Sequence, residues 1–348
     1  MDSSETVIPE KFKTIFIYTS GDTIGDGIVK LPFLQILRQR FPDAHITWCA
    51  GLNSCSFGGA LSPLTRGLLD EVIEEAGIGN RPSHLFGLRR PLAGRFFDLI
   101  IDTQSAIIRT LIARRIAHGL FVSATAGFIF SDLKPESAED WPRNLVASLE
   151  KLVGLVVPRV NRGPLPALSP DPAFEDEARR LLPDGAAYVG LSPGAGDKEK
   201  CWPLDGFIEV AKEQAKKGRV PVFFLGPEEE SWLAALKAKV PEARFPEWEV
   251  TDAERRPRGP LLVIALAGRL KAAVANDSGT GHMLAAGGVP LLSLFSKHDP
   301  LKYAPSAKRL AIIDSKDFGG VDPALIPKDV VIDALNHMVA GGTPRSLS

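Results

Sequence analysis

Apolar residues along this chain fall into two kinds of run. Short β-branched or aromatic stretches, TIFIYTS at 14–20, HITWCAG at 45–51, FDLIIDTQ at 97–104 and IAHGLFVSA at 116–124, have the length and composition of buried strands. Between the first two, Ile28, Leu31, Leu34, Leu37 and Phe41 recur at helical spacing, which predicts a helix over 28–41. Strands alternating with helices indicate βαβ units and a parallel sheet. The stretch VVPRVNRGPLPALSPDP at 156–172 has five prolines and little periodicity. After it the pattern starts again, with strands expected at 186–194, 220–227, 272–279 and 289–296. Helices are expected over 204–217, 230–239, 260–269 and 280–286, with a terminal amphipathic helix over 328–340.

Length agrees with this duplication, since 348 residues exceed one ordinary core. The expected organisation is an N-terminal α/β domain over 1–160, a proline-rich linker over 161–172 and a C-terminal α/β domain over 173–327. A terminal helix and tail over 328–348 complete it, and a cleft is expected between the two domains.

Charge adds a local contrast to a neutral whole. Lysine and arginine total 41 against 42 acidic residues, which argues against a nucleic-acid partner. Yet Arg81, Arg89, Arg90, Arg95, Arg109, Arg114 and Arg115 face only Asp98 and Asp102 in their segment, while 225–254 is acidic. These arginines read either as a patch for an anionic acceptor or membrane surface, or as solvated helix faces. The first residues, MDSSETVIPEKFK, lack a signal-peptide core, and LLVIALAG at 261–268 is too short to span a bilayer. A cytoplasmic location is expected. Cys49, Cys55 and Cys201 have no metal-ligand spacing and read as reduced structural thiols.

Candidate chemistry lies where strands give way to glycine-rich turns, the place where open α/β sheets bind ligands. The stretch TSGDTIGDGIVKLP at 19–32 fits neither phosphate-loop template. It leaves Asp26 between Gly25 and Gly27, where absent side chains would admit a substrate; alternatively Asp26 or Asp22 caps the following helix. Asp22 reads as turn chemistry. In ANDSGTGHMLAAGG at 275–288, Asp277, Ser278, Gly279, Thr280, Gly281 and His282 lead into a helix whose free amides suit a diphosphate, or form a plain capped helix. In SPGAGDKEKCWP at 192–203, Lys198 and Lys200 accompany a loop containing Gly194 and Gly196, either as phosphate ligands or as solvated lysines. Glu229, within an acidic triplet, suits a ribose hydroxyl or the first turn of a helix. Residues 190–194 also satisfy G-x-S-x-G around Ser192, though Pro193 rather than a helix follows. Histidines are scattered, with no H-E-x-x-H and no D-x-D, so metal-independent chemistry is expected.

Four of these pieces, in order along most of the chain, resemble the family 9 glycosyltransferases, the lipopolysaccharide heptosyltransferases. They are G-D-x-x-x-x-L-P at 25–32, FDLIIDTQ at 97–104 followed by an arginine-rich helix, P-G-A with K-x-W-P at 193–203, and D-[ST]-G-x-x-H at 277–282. The resemblance implies two facing Rossmann-like domains of the GT-B type, acceptor site in the first and nucleotide-sugar site in the second. It implies inverting, metal-independent transfer of a heptose from ADP-heptose to the anionic inner core of lipopolysaccharide. Asp26 then matches the general base. Lys200, Gly194, Gly196, Glu229 and residues 277–282 fall on the donor side, and Gly25, Gly27, Gln104 and Arg109 on the acceptor side. The nucleotide sugar is a co-substrate, with no resident cofactor, and the partner is a lipid-linked saccharide met peripherally at the inner face of the cytoplasmic membrane. Two positions depart from the family pattern: Val29, where some members carry histidine, and a longer, more charged segment at 243–260. The alternatives are a nucleotide-sugar epimerase of the same architecture, a non-catalytic nucleotide-sugar-binding protein, and a serine hydrolase built on Ser192.

Overall fold

The computed structural model describes residues 12–79, 83–87, 90–137, 140–157, 171–249 and 256–342. The chain divides into two compact units, Met1–Leu168 and Ser169–Ser348. Of the proline-rich stretch expected at 161–172, residues 161–170 lie outside the described residues.

The first unit is built on five parallel strands: β1 (Thr14–Thr19), β2 (His45–Ala50), β3 (Glu71–Ile73), β4 (Phe96–Asp102) and β5 (Ala117–Ser123). Their order across the sheet is β3-β2-β1-β4-β5. β1 and β2 are buried along almost their whole length, which is why they read as continuous apolar runs rather than as alternation. β3 escapes such a reading because it is a three-residue edge strand, half-buried throughout and opened by a glutamate. The helices are α1 (Ile24–Arg40), α2 (Ser62–Thr65), α3 (Ser83–Phe86), α4 (Ile107–Ala113) and α5 (Leu145–Val156).

Helix α1 begins four residues before the start that apolar spacing predicts. Thr23 caps it and Asp26 closes a reciprocal capping box, so the first turn is specified by polar residues that a hydrophobic period does not register. Pro32 lies inside this helix and removes one backbone donor from it.

The second unit repeats the architecture with β6 (Tyr188–Ser192), β7 (Val220–Phe223), β8 (Leu270–Asn276), β9 (Leu291–Phe295) and β10 (Leu310–Asp314), all parallel. Their order is β10-β9-β8-β6-β7. β10, an edge strand whose burial alternates, is the second strand absent from the sequence reading. Helices α6 (Pro172–Leu181), α7 (Leu204–Lys216), α8 (Leu233–Lys239), α9 (Pro260–Ala267), α10 (Gly279–Ala286), α11 (Pro300–Tyr303) and α12 (Lys328–Val339) complete this unit. The acidic triplet at 228–230 sits in a 3-10 turn, Pro227–Trp232, that precedes α8.

α12 packs against α7 and β8, with Val331, Leu335 and Met338 buried at helical spacing in the core that also holds Phe207, Val210 and Val274. Truncating Leu335 to alanine is expected to cost about 2–5 kcal/mol through lost transfer energy and an unfilled cavity. Urea unfolding checks this; a loss below about 0.5 kcal/mol would show that the α12 face is not anchored as described.

Candidate functional site

In a parallel sheet ligands gather at the carboxyl ends of the strands where successive connections leave in opposite directions. In the first unit that switch point lies between β1 and β4, and in the second between β6 and β8. Every sequence-predicted site residue except Glu229 lies on a segment that leaves one of these four strand ends.

At the β1 end, Asp22 is fully buried in its side chain and ion-pairs with Lys30 from α1. Its second oxygen accepts the Trp48 indole N–H at 3.1 Å, and the Thr19 hydroxyl donates to the first at 3.3 Å. The reading of Asp22 as turn chemistry is therefore corrected: it is half of a buried ion pair that ties loop, helix and neighbouring strand together. The lysine is invisible as such in the sequence, where position 30 only interrupts an apolar helix face.

Asp26 stands four residues further on, exposed, at the third position of α1 rather than on a free turn. Its Oδ2 accepts the Thr23 backbone N–H at 3.2 Å and the Thr23 hydroxyl at 2.8 Å. The flanking glycines serve a different end from the one expected. A side chain on Gly27 would stand 2.1 Å from Ser56 Oγ and 2.8 Å from Leu61, so its absence admits the protein's own 56–61 loop, not a substrate. Gly25 is likewise buried.

At the β4 end, Asp102 is buried and accepts from Thr110 Oγ1 at 2.6 Å, Ser123 Oγ at 2.9 Å and the Gln104 backbone at 3.0 Å. Burial pushes its carboxyl up to about 6 against the pull of these three bonds. Gln104 is thereby fixed, and its side-chain amide donates to Thr19 Oγ1 at 3.3 Å, joining the two strand ends. Arg109, half-exposed on α4, lies near Gly79 and the buried Tyr18. Other arginines of the basic segment are structural: Arg95 pairs with Glu71, Arg114 with Asp132, and Arg115 donates to the carbonyls of His84 and Gly87. Arg81 and Arg89 lie outside the described residues.

In the second unit the last residue of β8, Asn276, is fully buried and clamps the loop that follows β6. Its amide donates to Pro193 O at 2.7 Å, and its carbonyl accepts the Trp202 backbone N–H at 3.1 Å. Residues 193–202, Gly194, Gly196 and Lys200 among them, are thus laid against the start of α10. There Ser278 is the cap, accepting from Gly281 N at 3.3 Å. The amides of Gly279 and Thr280, in the first turn of α10, have no helical carbonyl to bond. A side chain at Gly281 would meet Asn276 O at 3.2 Å, while His282 continues the turn.

Asp277 is not the cap. It is buried, with Lys200 Nζ 3.3 Å and His298 Nδ1 2.7 Å from the same oxygen. His298 was not singled out from the sequence, although it follows strand β9 directly and the strand-end rule points to it. Lys297 beside it pairs with Glu199, a second tie between the same two loops.

Glu229 is buried with its carboxyl over Gly194 and Gly226, where added side chains would stand at 2.5 Å and 3.0 Å. Burial raises its proton affinity, as it does for the neighbouring carboxyl of Glu247, pushed up to about 7. Residues 250–255 of the charged 243–260 segment lie outside the described residues. Ser192 is 1 % exposed and its hydroxyl has no hydrogen-bond partner among the described residues, histidine included. A serine nucleophile needs a base in contact, so the hydrolase reading is set aside. No described helix is long and apolar enough to cross a membrane.

The model of glycosyltransferase family 9 (heptosyltransferase) matches residues 85–320, which include Lys200, Glu229 and 277–282 and leave out Asp26. The chain belongs to this family. As a family 9 enzyme it is similar to the lipopolysaccharide core heptosyltransferase OpsX of Haemophilus influenzae, 20% identical over 81% of this chain and 79% of that protein. It is also similar to lipopolysaccharide heptosyltransferase 3 of Escherichia coli, 23% identical over 92% and 97%. Among solved structures, a family 9 glycosyltransferase from Veillonella parvula superposes with a TM-score of 0.71 at 19% identity, covering 95% of this chain and 98% of that one. The E. coli heptosyltransferase WaaC with ADP-2-deoxy-2-fluoro heptose gives 0.62 at 18% identity, covering 93% and 99%. The fold of this glycosyltransferase is thus of the GT-B type, each unit Rossmann-like.

The buried pair in the first unit yields a direct test. Replacing Lys30 by methionine strands the Asp22 carboxylate without its cation and is expected to cost about 3–5 kcal/mol. Adding Asp22→Asn to the same chain should recover a large part of that loss. A double-mutant cycle by chemical unfolding measures the coupling, and strictly additive losses would show there is none.

Proposed function

We propose that this family 9 enzyme transfers a heptose from ADP-heptose to an anionic inner-core saccharide of lipopolysaccharide, with inversion and without a metal ion. The observation that carries the donor side is the start of α10: amides without helical partners, with Lys200 held beside them by Asp277 at the β6–β8 switch point. Such amides and a fixed cation suit a diphosphate through geometry and helix dipole together. The family relationship supports the sugar, as does the ADP-heptose analogue in the WaaC structure. Glu229, buried over Gly194 and Gly226 at the edge of the same loop, suits a ribose hydroxyl because a buried carboxyl gains from a further donor.

Asp26 is the proposed base. Thr23 holds Oδ2 with two bonds, while Oδ1 has no partner among the described residues and stands exposed. Its capping role and its catalytic role are compatible, because one oxygen serves each. The acceptor hydroxyl gives its proton to Oδ1 as its oxygen bonds to the anomeric carbon, and the bond from that carbon to the diphosphate breaks. One displacement inverts the centre. Negative charge grows on the leaving ADP, where Lys200 and the α10 amides meet it, each key donor contributing about 2–4 kcal/mol to the transition state. Gln104, fixed at the β4 end, and Arg109 on α4 would contact the acceptor. We place the enzyme in the cytoplasm with a peripheral contact at the inner face of the membrane, a reading supported by the exposed Ile107 and Ile108 beside Arg109. The nucleotide sugar is a co-substrate and no resident cofactor is invoked.

Asp26→Asn keeps a side-chain oxygen for the capping box and removes the base. It should lower kcat by about 100-fold or more while the affinity for ADP-heptose stays unchanged. Steady-state transfer to an isolated inner-core acceptor, with calorimetry for donor binding, makes the measurement. Parental turnover in the variant would remove Asp26 from the mechanism, and donor conversion in the absence of acceptor would favour epimerase chemistry instead.

A further inference from the structure

His298 occupies a place that the donor-site reading leaves unexplained. It lies on the loop after β9, and its Nδ1 is 2.7 Å from Asp277 Oδ2, the atom that Lys200 approaches from the other side at 3.3 Å. Asp277 is nine-tenths buried, so the ring orientation is set by a partner that cannot swing away. The ring rests against Tyr303 of α11 with centroids 5.0 Å apart, and the Lys316 ammonium donates to the His298 carbonyl at 3.0 Å. Backbone and ring are therefore both held. With Nδ1 committed to the carboxylate, Nε2 is the nitrogen left for another partner, and the side chain stays 44 % exposed.

Electrostatics gives this a direction. A carboxylate beside a diphosphate repels it, and Asp277 is followed at once by the Ser278 cap and the open amides of α10. Lys200 alone only neutralises Asp277. A second side chain on the same oxygen brings another ring nitrogen to the turn, a further donor that a dianionic or trianionic ligand there can use.

We propose that His298 is a further ligand of the donor diphosphate, with Nε2–H donating to a phosphate oxygen while Asp277 holds Nδ1. This rests on the reading of Lys200 and the α10 turn as the diphosphate site. It makes the Asp277 carboxylate an organiser of two phosphate-facing side chains rather than a contact of its own.

Titration calorimetry with ADP and with adenosine on the full chain tests it. His298→Ala should weaken ADP by about 10- to 100-fold, the effect of one charge-assisted hydrogen bond, and leave adenosine unchanged because adenosine carries no phosphate. His298→Asn keeps an N–H for Asp277 near the Nδ1 position but has no counterpart of Nε2, and should weaken ADP as well. Equal losses for ADP and adenosine in both variants would overturn the proposal in favour of a structural role. Parental ADP affinity in His298→Asn would overturn it in favour of positioning through Asp277. Lys200→Ala serves as the reference. If that variant loses ADP affinity while both His298 variants keep it, the inference falls and the donor-site reading stands. If the parent protein binds no ADP species, both fall together.

Discussion

A parallel sheet sends all its strands to the same edge, and the chain must leave the first strand of each unit toward one side and return on the other. At that point two adjacent strand ends lie uncovered by any connection between them. Both units obey this constraint with different strand orders, one switching between β1 and β4 and the other between β6 and β8. The candidate base, the lysine and the open helix start are where they are because of it.

Leaving strand ends open exposes backbone and loop to disorder, and the chain counters that with buried polar side chains. Asn276 clamps the 193–202 loop by both faces of its amide. Asp22 joins α1 to Trp48 of β2 through Lys30, and Asp102 gathers two hydroxyls and the Gln104 amide. Each is a polar group out of water whose bonds are satisfied by partners from several elements, which makes the arrangement specific as well as stable. Asp277 belongs with them in burial but differs in its partners, the mostly buried Lys200 and the half-exposed His298, which meet it beside a helix start.

The glycines illustrate how one residue type serves opposite ends. Gly27 and Gly194 both lack room for a side chain, yet the first is filled by the Ser56 and Leu61 side chains and the second by the Glu229 carboxyl. The first is packing. The second places a carboxyl at the edge of the 193–202 loop.

What the sequence by itself determined is the layout: two α/β units, eight of the ten described strands, most of the helices though not α5 and α6, and the strand-end turns carrying Asp26, Lys200 and 277–282. These follow from periodicity and from short polar signals within a few residues of one another, which are local properties. The edge strands β3 and β10 were not legible, because a strand buried on few neighbours carries little apolar signal. Which carboxylate is buried and which is exposed was decided only in three dimensions. Asp22 and Asp26 are each followed by a small or polar residue and look alike in the chain, yet Lys30 and Trp48 converge on one and leave the other to the solvent. His298 joined Asp277 and Lys200 for the same reason. Its partner Asp277 is on a neighbouring strand end, and proximity across a sheet is set by strand order, which no local pattern encodes.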